Sequence, residues 1–170
     1  MKKTYEFFNQ ENIIFWKQEL ENMKGFHFEP DHFDFISQNK DFKMIENNFG
    51  ETIVEEIKEF CRKNRCTPYH VILTAVICTL LESEHRKNIN IWLAVANSFD
   101  VGILDNMSVI SLPLCAKFQD KSIDFMMVLE TVMRQTAHIL DHQDVSLNEI
   151  LDKSNNLIVQ NIEEISNVFF

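Results

Sequence analysis

Between Val71 and Leu81 the chain reads Val-Ile-Leu-Thr-Ala-Val-Ile-Cys-Thr-Leu-Leu, apolar nearly all round any helix it forms. A helix without a polar face must be covered on most sides. Thr67 is a good N-cap and Pro68 suits the first helical position. The sequence therefore predicts a central buried helix over residues 68–81, which the rest of the chain must enclose.

The flanking segments supply that cover. Ile53, Val54, Ile57, Phe60 and Cys61 recur at the spacing of one buried helical stripe. Arg62-Lys63-Asn64-Arg65 then places its cations at that helix's C-terminus, where they suit the dipole. Residues 89–96 form an apolar run of strand length, the mark of a strand covered on both faces. A second strand is predicted over 107–118, with Pro113 confining it locally to an edge or a bulge.

Further out, Ile13, Trp16 and Leu20 predict a helix over 12–23, stopped by Gly25. Residues 26–41 contain Pro30 and read as an extended connector rich in aromatics (Phe26, Phe28, Phe33, Phe35). A strand is predicted over 42–49. A long helix from Ser122 would place Met126, Leu129, Met133, Ala137 and Leu140 on one face. A short helix over 145–151 and a last strand over 156–160 complete the reading. The fold class is α/β: a layered sandwich of a small mixed sheet with packed helices, in a single domain over 1–170.

The formal charge is −10, which argues against a nucleic-acid partner, because phosphate binding needs clustered Lys and Arg. Lys2 and Lys3 precede no apolar run of the signal-peptide kind. No stretch approaches a membrane span, so no membrane partner and a cytoplasmic location are expected. Cys61, Cys66, Cys78 and Cys115 then read as reduced, structural thiols, since their spacing makes no CxxC or zinc knuckle.

The six histidines invite a search for catalytic or metal groups. His27 and His32 flank Pro30 in the connector, without the convergent geometry that a metal needs. His138 and His142 stand at i and i+4, as in HExxH, but the residues between them are Ile139, Leu140 and Asp141. The sequence favours a helix end near His142, with His142-Gln143-Asp144 turning into the next element. His70, beside Tyr69 at a helix start, reads as a capping or packing residue. No Gly-rich phosphate loop, GxSxG elbow or paired-carboxylate motif occurs. No catalytic residue and no metal ligand is assigned.

Several phrases, in fixed order, carry a resemblance. Phe15-Trp16-Lys17-Gln18-Glu19-Leu20 is similar to (Y/F)Wxx(Q/E)L. Thr67, Leu73, Ala75, Leu80 and Leu81 fit TxxxxLLAAFxxLL. Val95-Ala96-Asn97-Ser98 resembles VAGR, and the segment from Asn106 through Ser111 to Leu114 resembles GxFVNTLPLR. His142-Gln143-Asp144-Val145-Ser146-Leu147-Asn148-Glu149-Ile150 looks like HQDxPFExL. Together they resemble the condensation domain of nonribosomal peptide synthetases, a member of the chloramphenicol-acetyltransferase-like superfamily. The resemblance spans residues 12–153, in part of that domain's C-terminal lobe, and leaves 154–170 as a divergent tail.

The resemblance implies a reaction in which an acceptor amine attacks a donor thioester. Both substrates ride on 4′-phosphopantetheine arms of peptidyl carrier proteins, and no cofactor is bound directly. The family's HHxxxDG motif lies in the other lobe, so the expected partner is an N-terminal condensation lobe or synthetase module. Activity from this chain alone is not expected. Asn97, Ser98, Ser108 and Ser111 are the implied substrate-tunnel positions. Here the Gly and Arg of VAGR become Asn97 and Ser98, and the Asn and Thr of FVNT become Ile110 and Ser111. These departures motivate an alternative: a non-catalytic remnant or interaction module that binds a carrier protein or synthetase. Aromatic surface on the connector and at Val168-Phe169-Phe170 raises self-association as an expectation.

Overall fold

The computed structural model describes residues 2–22, 44–83, 85, 87–97, 108–118, 123–143 and 168–170. The expected connector with His27 and His32, the helix over 145–151, the strand over 156–160 and Ser98 lie outside the described residues.

Helix α1 runs Lys2–Asn22, beginning ten residues before the expected start. No Gly or Pro interrupts the chain before Gly25, so nothing breaks the helix earlier. Its expected stripe is in place: Ile13, Trp16 and Leu20 are buried. Helix α2 spans Glu51–Asn64, with Arg62 and Lys63 in its last turn as expected. Arg65 then takes a left-handed conformation, φ 53°, ψ 39°, and the Cys66 N–H donates to the Cys61 carbonyl at 3.1 Å. This bond satisfies one terminal carbonyl, in the pattern that usually has Gly at the left-handed position. Helix α3 follows at once, Pro68–Ser83.

Thr67 caps α3 as the sequence predicts. The His70 N–H donates to Thr67 Oγ1 at 3.3 Å, and the Thr67 N–H donates back to His70 Nδ1 at 3.2 Å. It is a reciprocal capping box with an imidazole where Glu or Gln is usual. Leu73, Thr74, Ile77 and Leu81 of α3 are buried. Val76, Cys78 and Leu80 are half-buried against the core, and Ala75 and Thr79 are exposed. The all-round apolar helix is thus central, although its outer face is less fully enclosed than expected.

Strands β1 (Asn88–Asn97) and β2 (Ser108–Lys117) pair antiparallel, with Ile91 opposite Leu114 and Trp92 opposite Pro113. Ile89 to Leu93 are fully buried, on both faces, as the apolar run predicts. Residues 168–170 add a parallel bridge to the other edge of β1. Trp92 N–H donates to the Val168 carbonyl and Phe170 N–H to the Trp92 carbonyl, at 2.9 and 2.8 Å. Because both polar groups of Trp92 face the tail, its pair with Pro113 is a non-hydrogen-bonded one. The proline therefore breaks no β1–β2 bond, which is how a strand tolerates it. Among the described residues the sheet is thus two-stranded and antiparallel, with one isolated parallel bridge, where the sequence predicted a small mixed sheet.

Helix α4 spans Phe125–Asp141, with Asp124 as N-cap accepting from the Met127 N–H at 2.8 Å. It packs on β2 and α3, while α3 packs on β1 and α2. Two expectations are corrected. The buried face of α4 is Val128, Leu129, Val132, Thr136 and Ile139. Met126 and Leu140, 40% and 42% exposed, lie off it. The side-chain amide of Gln135 donates to the Cys115 carbonyl, a group pointing outward from β2's free edge. That contact fixes the helix's rotation and covers the edge. Residues 44–50 form no strand, and Met44 and Ile45 are 87% and 86% exposed. Part of the β1 edge is taken by residues 168–170.

Candidate functional site

The family-like phrases at the two ends of the described chain meet in space. Trp16 is fully buried, and its indole N–H donates to the His142 carbonyl at 2.8 Å across 126 positions. The imidazole of His142 stacks on Phe15, with centroids 3.9 Å apart and planes 20° from parallel. Its Nδ1 lies 2.6 Å from Oδ1 of buried Asn12, a hydrogen bond when Nδ1 carries the proton. His142 is also the residue at which α4 ends, its N–H donating to the Ile139 carbonyl at 3.2 Å. One turn is thus clamped from ring face, ring edge and backbone by three α1 residues. His138, one helical turn away, is exposed. Among the described residues no group of three or more His, Cys, Asp or Glu side chains gathers that could hold a metal ion.

Sequence reasoning singled out Phe15, Trp16 and His142 but not their contacts, and it gave Asn12 no role beyond the start of the helix. The only available signal was the co-occurrence of the two phrases. Beside this joint opens a cleft of about 120 Å³ whose walls include Phe15, Trp16 and Pro113.

Of the four tunnel positions, Asn97, Ser108 and Ser111 lie on the paired strands. Asn97, the last residue of β1, pairs with Ser108, the first of β2. Three positions along β2, Ser111 pairs with Ala94. Ser111, Ala94 and Ala96 are exposed, so this end of the sheet presents a strip of small side chains. His70, the sequence's nearest candidate for a base, serves the α3 cap, and burial holds its pKa below the ordinary value. The thiols are unbridged. Burial pushes Cys115 up to about 11 and also raises Cys66 and Cys78, leaving all three protonated and weakly nucleophilic near neutral pH.

No protein-family model matches the chain. A hybrid PKS-NRPS synthetase of Acremonium sp is 25% identical over 109 residues, 64% of this chain. The chain is condensation-domain-like. It spans about 3% of the length of that synthetase. The starter condensation domain of rhizomide synthetase superposes with a TM-score of 0.46 at 14% identity, covering 59% of this chain and 23% of that one. Among the described residues no single helix is long and apolar enough to cross a membrane.

Proposed function

We propose that this chain serves as the C-terminal-lobe portion of a nonribosomal peptide synthetase condensation domain. In that reaction the acceptor amine attacks the donor thioester carbonyl. A C–N bond forms, the C–S bond breaks, and the thiol leaves with a proton. The reading is carried by the Trp16–His142 joint, which unites two family-like phrases in a chain similar to a synthetase. None of the six histidines stands in HHxxxDG, so the proton-handling group would come from a partner lobe. This chain's share is alignment of the two reactants, itself a large part of such a barrier.

The carrier's phosphopantetheine arm is long and thin and needs a path clear of bulky side chains. Ala94 and Ser111, small, exposed and directly paired, would flank such a path. Asn97, Ser98, Ser108 and Ser111 are the positions at which the resemblance puts the family's tunnel. The four unbridged cysteines fit a reducing, cytoplasmic setting.

The test is a titration of the chain and an HHxxxDG lobe with carrier protein, with and without the arm, followed by backbone amide shifts. The arm-bearing carrier should move Ala94, Ala96, Asn97, Ser108 and Ser111, and the arm-free carrier should not. Equal responses, or none at this end of the hairpin, would contradict the tunnel assignment. A second reading, a non-catalytic interaction module, is favoured by Asn97, Ser98 and Ile110 in place of the family's residues. Exposed Met44, Ile45, Phe49 and Ile53 also favour it, as surface for a partner or for self-association. It calls for complex formation without amide product.

A further inference from the structure

The turn between α2 and α3 brings two cysteines face to face. Cys61 lies near the end of α2, and Cys66 follows just beyond it. With Arg65 in the left-handed conformation, the Cys66 N–H donates to the Cys61 carbonyl at 3.1 Å. In this way of ending a helix, the two residues that share that bond are also the ones whose side chains often meet. Here they do: the Cys66 thiol donates a hydrogen bond to the Cys61 sulfur. The backbone bond also limits how far apart the two Cα atoms can lie. Even a straight path through it, with the covalent reach on either side, spans no more than about 7 Å, and a bent path is shorter. Disulfides accept Cα separations of about 4.4–6.8 Å.

The position suits a covalent tie. Cys61 is the one buried residue of α2, while Ile53 is exposed and Val54, Ile57 and Phe60 are half-buried. Helix α2 is thus thinly anchored, mainly on α3, and Cys66 immediately precedes Thr67, the cap of α3. We propose that Cys61 and Cys66 form a redox pair, which a small-molecule disulfide such as glutathione disulfide closes and free thiols reopen. Cys66, half-buried, reacts first, and Cys61, 7% exposed, follows. The Cys66 thiolate attacks one sulfur of glutathione disulfide, forms a mixed disulfide and expels one glutathione thiolate. The Cys61 thiolate then attacks the Cys66 sulfur and expels the second. Each cysteine's proton ends on one departing glutathione, so two protein thiols are oxidised and one disulfide is reduced. In the reducing setting proposed above, the pair is open at rest and closes as small-molecule disulfide accumulates. Closed, it ties the end of α2 to the start of α3.

The experiment uses the 170-residue chain, reduced and freed of reductant, and does not depend on the condensation reading. The chain is incubated with glutathione disulfide, remaining thiols are alkylated, and the intact protein and its tryptic digest are read by mass spectrometry. Arg62, Lys63 and Arg65 lie between the two cysteines, so their fragments stay together only where a disulfide joins them. The expected product has lost two of its four thiols, retains no glutathione, has the mass of one chain less two hydrogens, and links Cys61 to Cys66. Burial and the neighbouring thiol raise the Cys66 pKa. Closure should therefore be slow at neutral pH and quicken about tenfold per pH unit as the thiolate fraction grows. Cys61→Ala should stop with one glutathione held on Cys66. Closure should also raise the urea midpoint of the parent chain, because it constrains the unfolded state. Glutathione retained on Cys66 of the parent chain, a disulfide joining any other pair, or four free thiols after exposure at alkaline pH would overturn the proposal.

Discussion

Trp16 has one polar atom, and the fold buries it against the carbonyl of His142 at 2.8 Å. Trp16→Phe keeps an aromatic ring but leaves that carbonyl without its donor and a gap where the indole's second ring lay. The expected loss is about 2–4 kcal/mol, combining an unmade buried hydrogen bond with lost volume. Chemical denaturation measures it, and a loss below about 0.5 kcal/mol, the range of a surface substitution, would show the joint to be incidental. At this scale the sequence reveals one partner and hides the other. Ile13, Trp16 and Leu20 announce a buried stripe through their spacing, and all three are buried. Asn12 carries no such mark and Phe15 only that of its phrase, because their contacts depend on a turn more than 120 positions away. Likewise the HQD-like phrase reads as a turn, while the stacking of its histidine on Phe15 follows only from tertiary packing.

Helix α3 shows what local sequence can settle. Thr67-Pro68 predicts its start because capping is short-range chemistry, and the box between Thr67 and His70 is in place. That box needs a neutral imidazole, since Nδ1 accepts the Thr67 N–H. Burial lowers the His70 pKa below its usual 6.5. As pH falls below about 6.5, the reference value for the unfolded chain, the unfolded state takes up a proton that the folded state resists. Stability should therefore be flat in this group's contribution above that pH and decline as pH drops through the lower folded value. His70→Gln keeps an acceptor at the same capping position without titrating. Urea midpoints for the two proteins between pH 7 and 5 should diverge, with the parent losing more on the acid side. Parallel profiles would remove His70 from the cap.

Where an element's placement depends on competition with others, the sequence says less. Helix α4 has two stripes of apolar or small residues, and the contact of Gln135 with the β2 edge selects the one that includes Thr136. Residues 44–49 have the composition of a strand. They stay outside the β1–β2 sheet, while residues 168–170 bridge to β1, a choice no local pattern contains.

For the whole molecule, the four helices and the β1–β2 pair were legible because apolar periodicity and runs of buried residues are repetitive signals. The tunnel positions are proposed through resemblance alone. Asn97, Ser108 and Ser111 have no periodicity, and small polar residues at a hairpin's end are ordinary without a family pattern to compare. The same comparison supplies the central claim, that this chain aligns reactants for a catalytic group held elsewhere. Exposed Met44, Ile45, Phe49 and Ile53 are apolar surface on which such a partner could close, while a net charge of −10 keeps unpaired copies soluble.

Reconstitution tests that claim most directly. The chain is mixed with an HHxxxDG-bearing condensation lobe and with donor and acceptor carrier proteins loaded as thioesters, and the amide product is followed by mass spectrometry. The account expects product from the complete mixture and only the buffer level when either lobe is omitted. Because the missing histidine is worth about 10²–10⁴ in rate, the two outcomes should be well separated. Amide formation by this chain with the carriers alone, particularly if abolished by His70→Ala or His142→Ala, would contradict the account. Failure to give product with a lobe that demonstrably binds it would do so equally, and would leave the non-catalytic interaction module as the reading that remains.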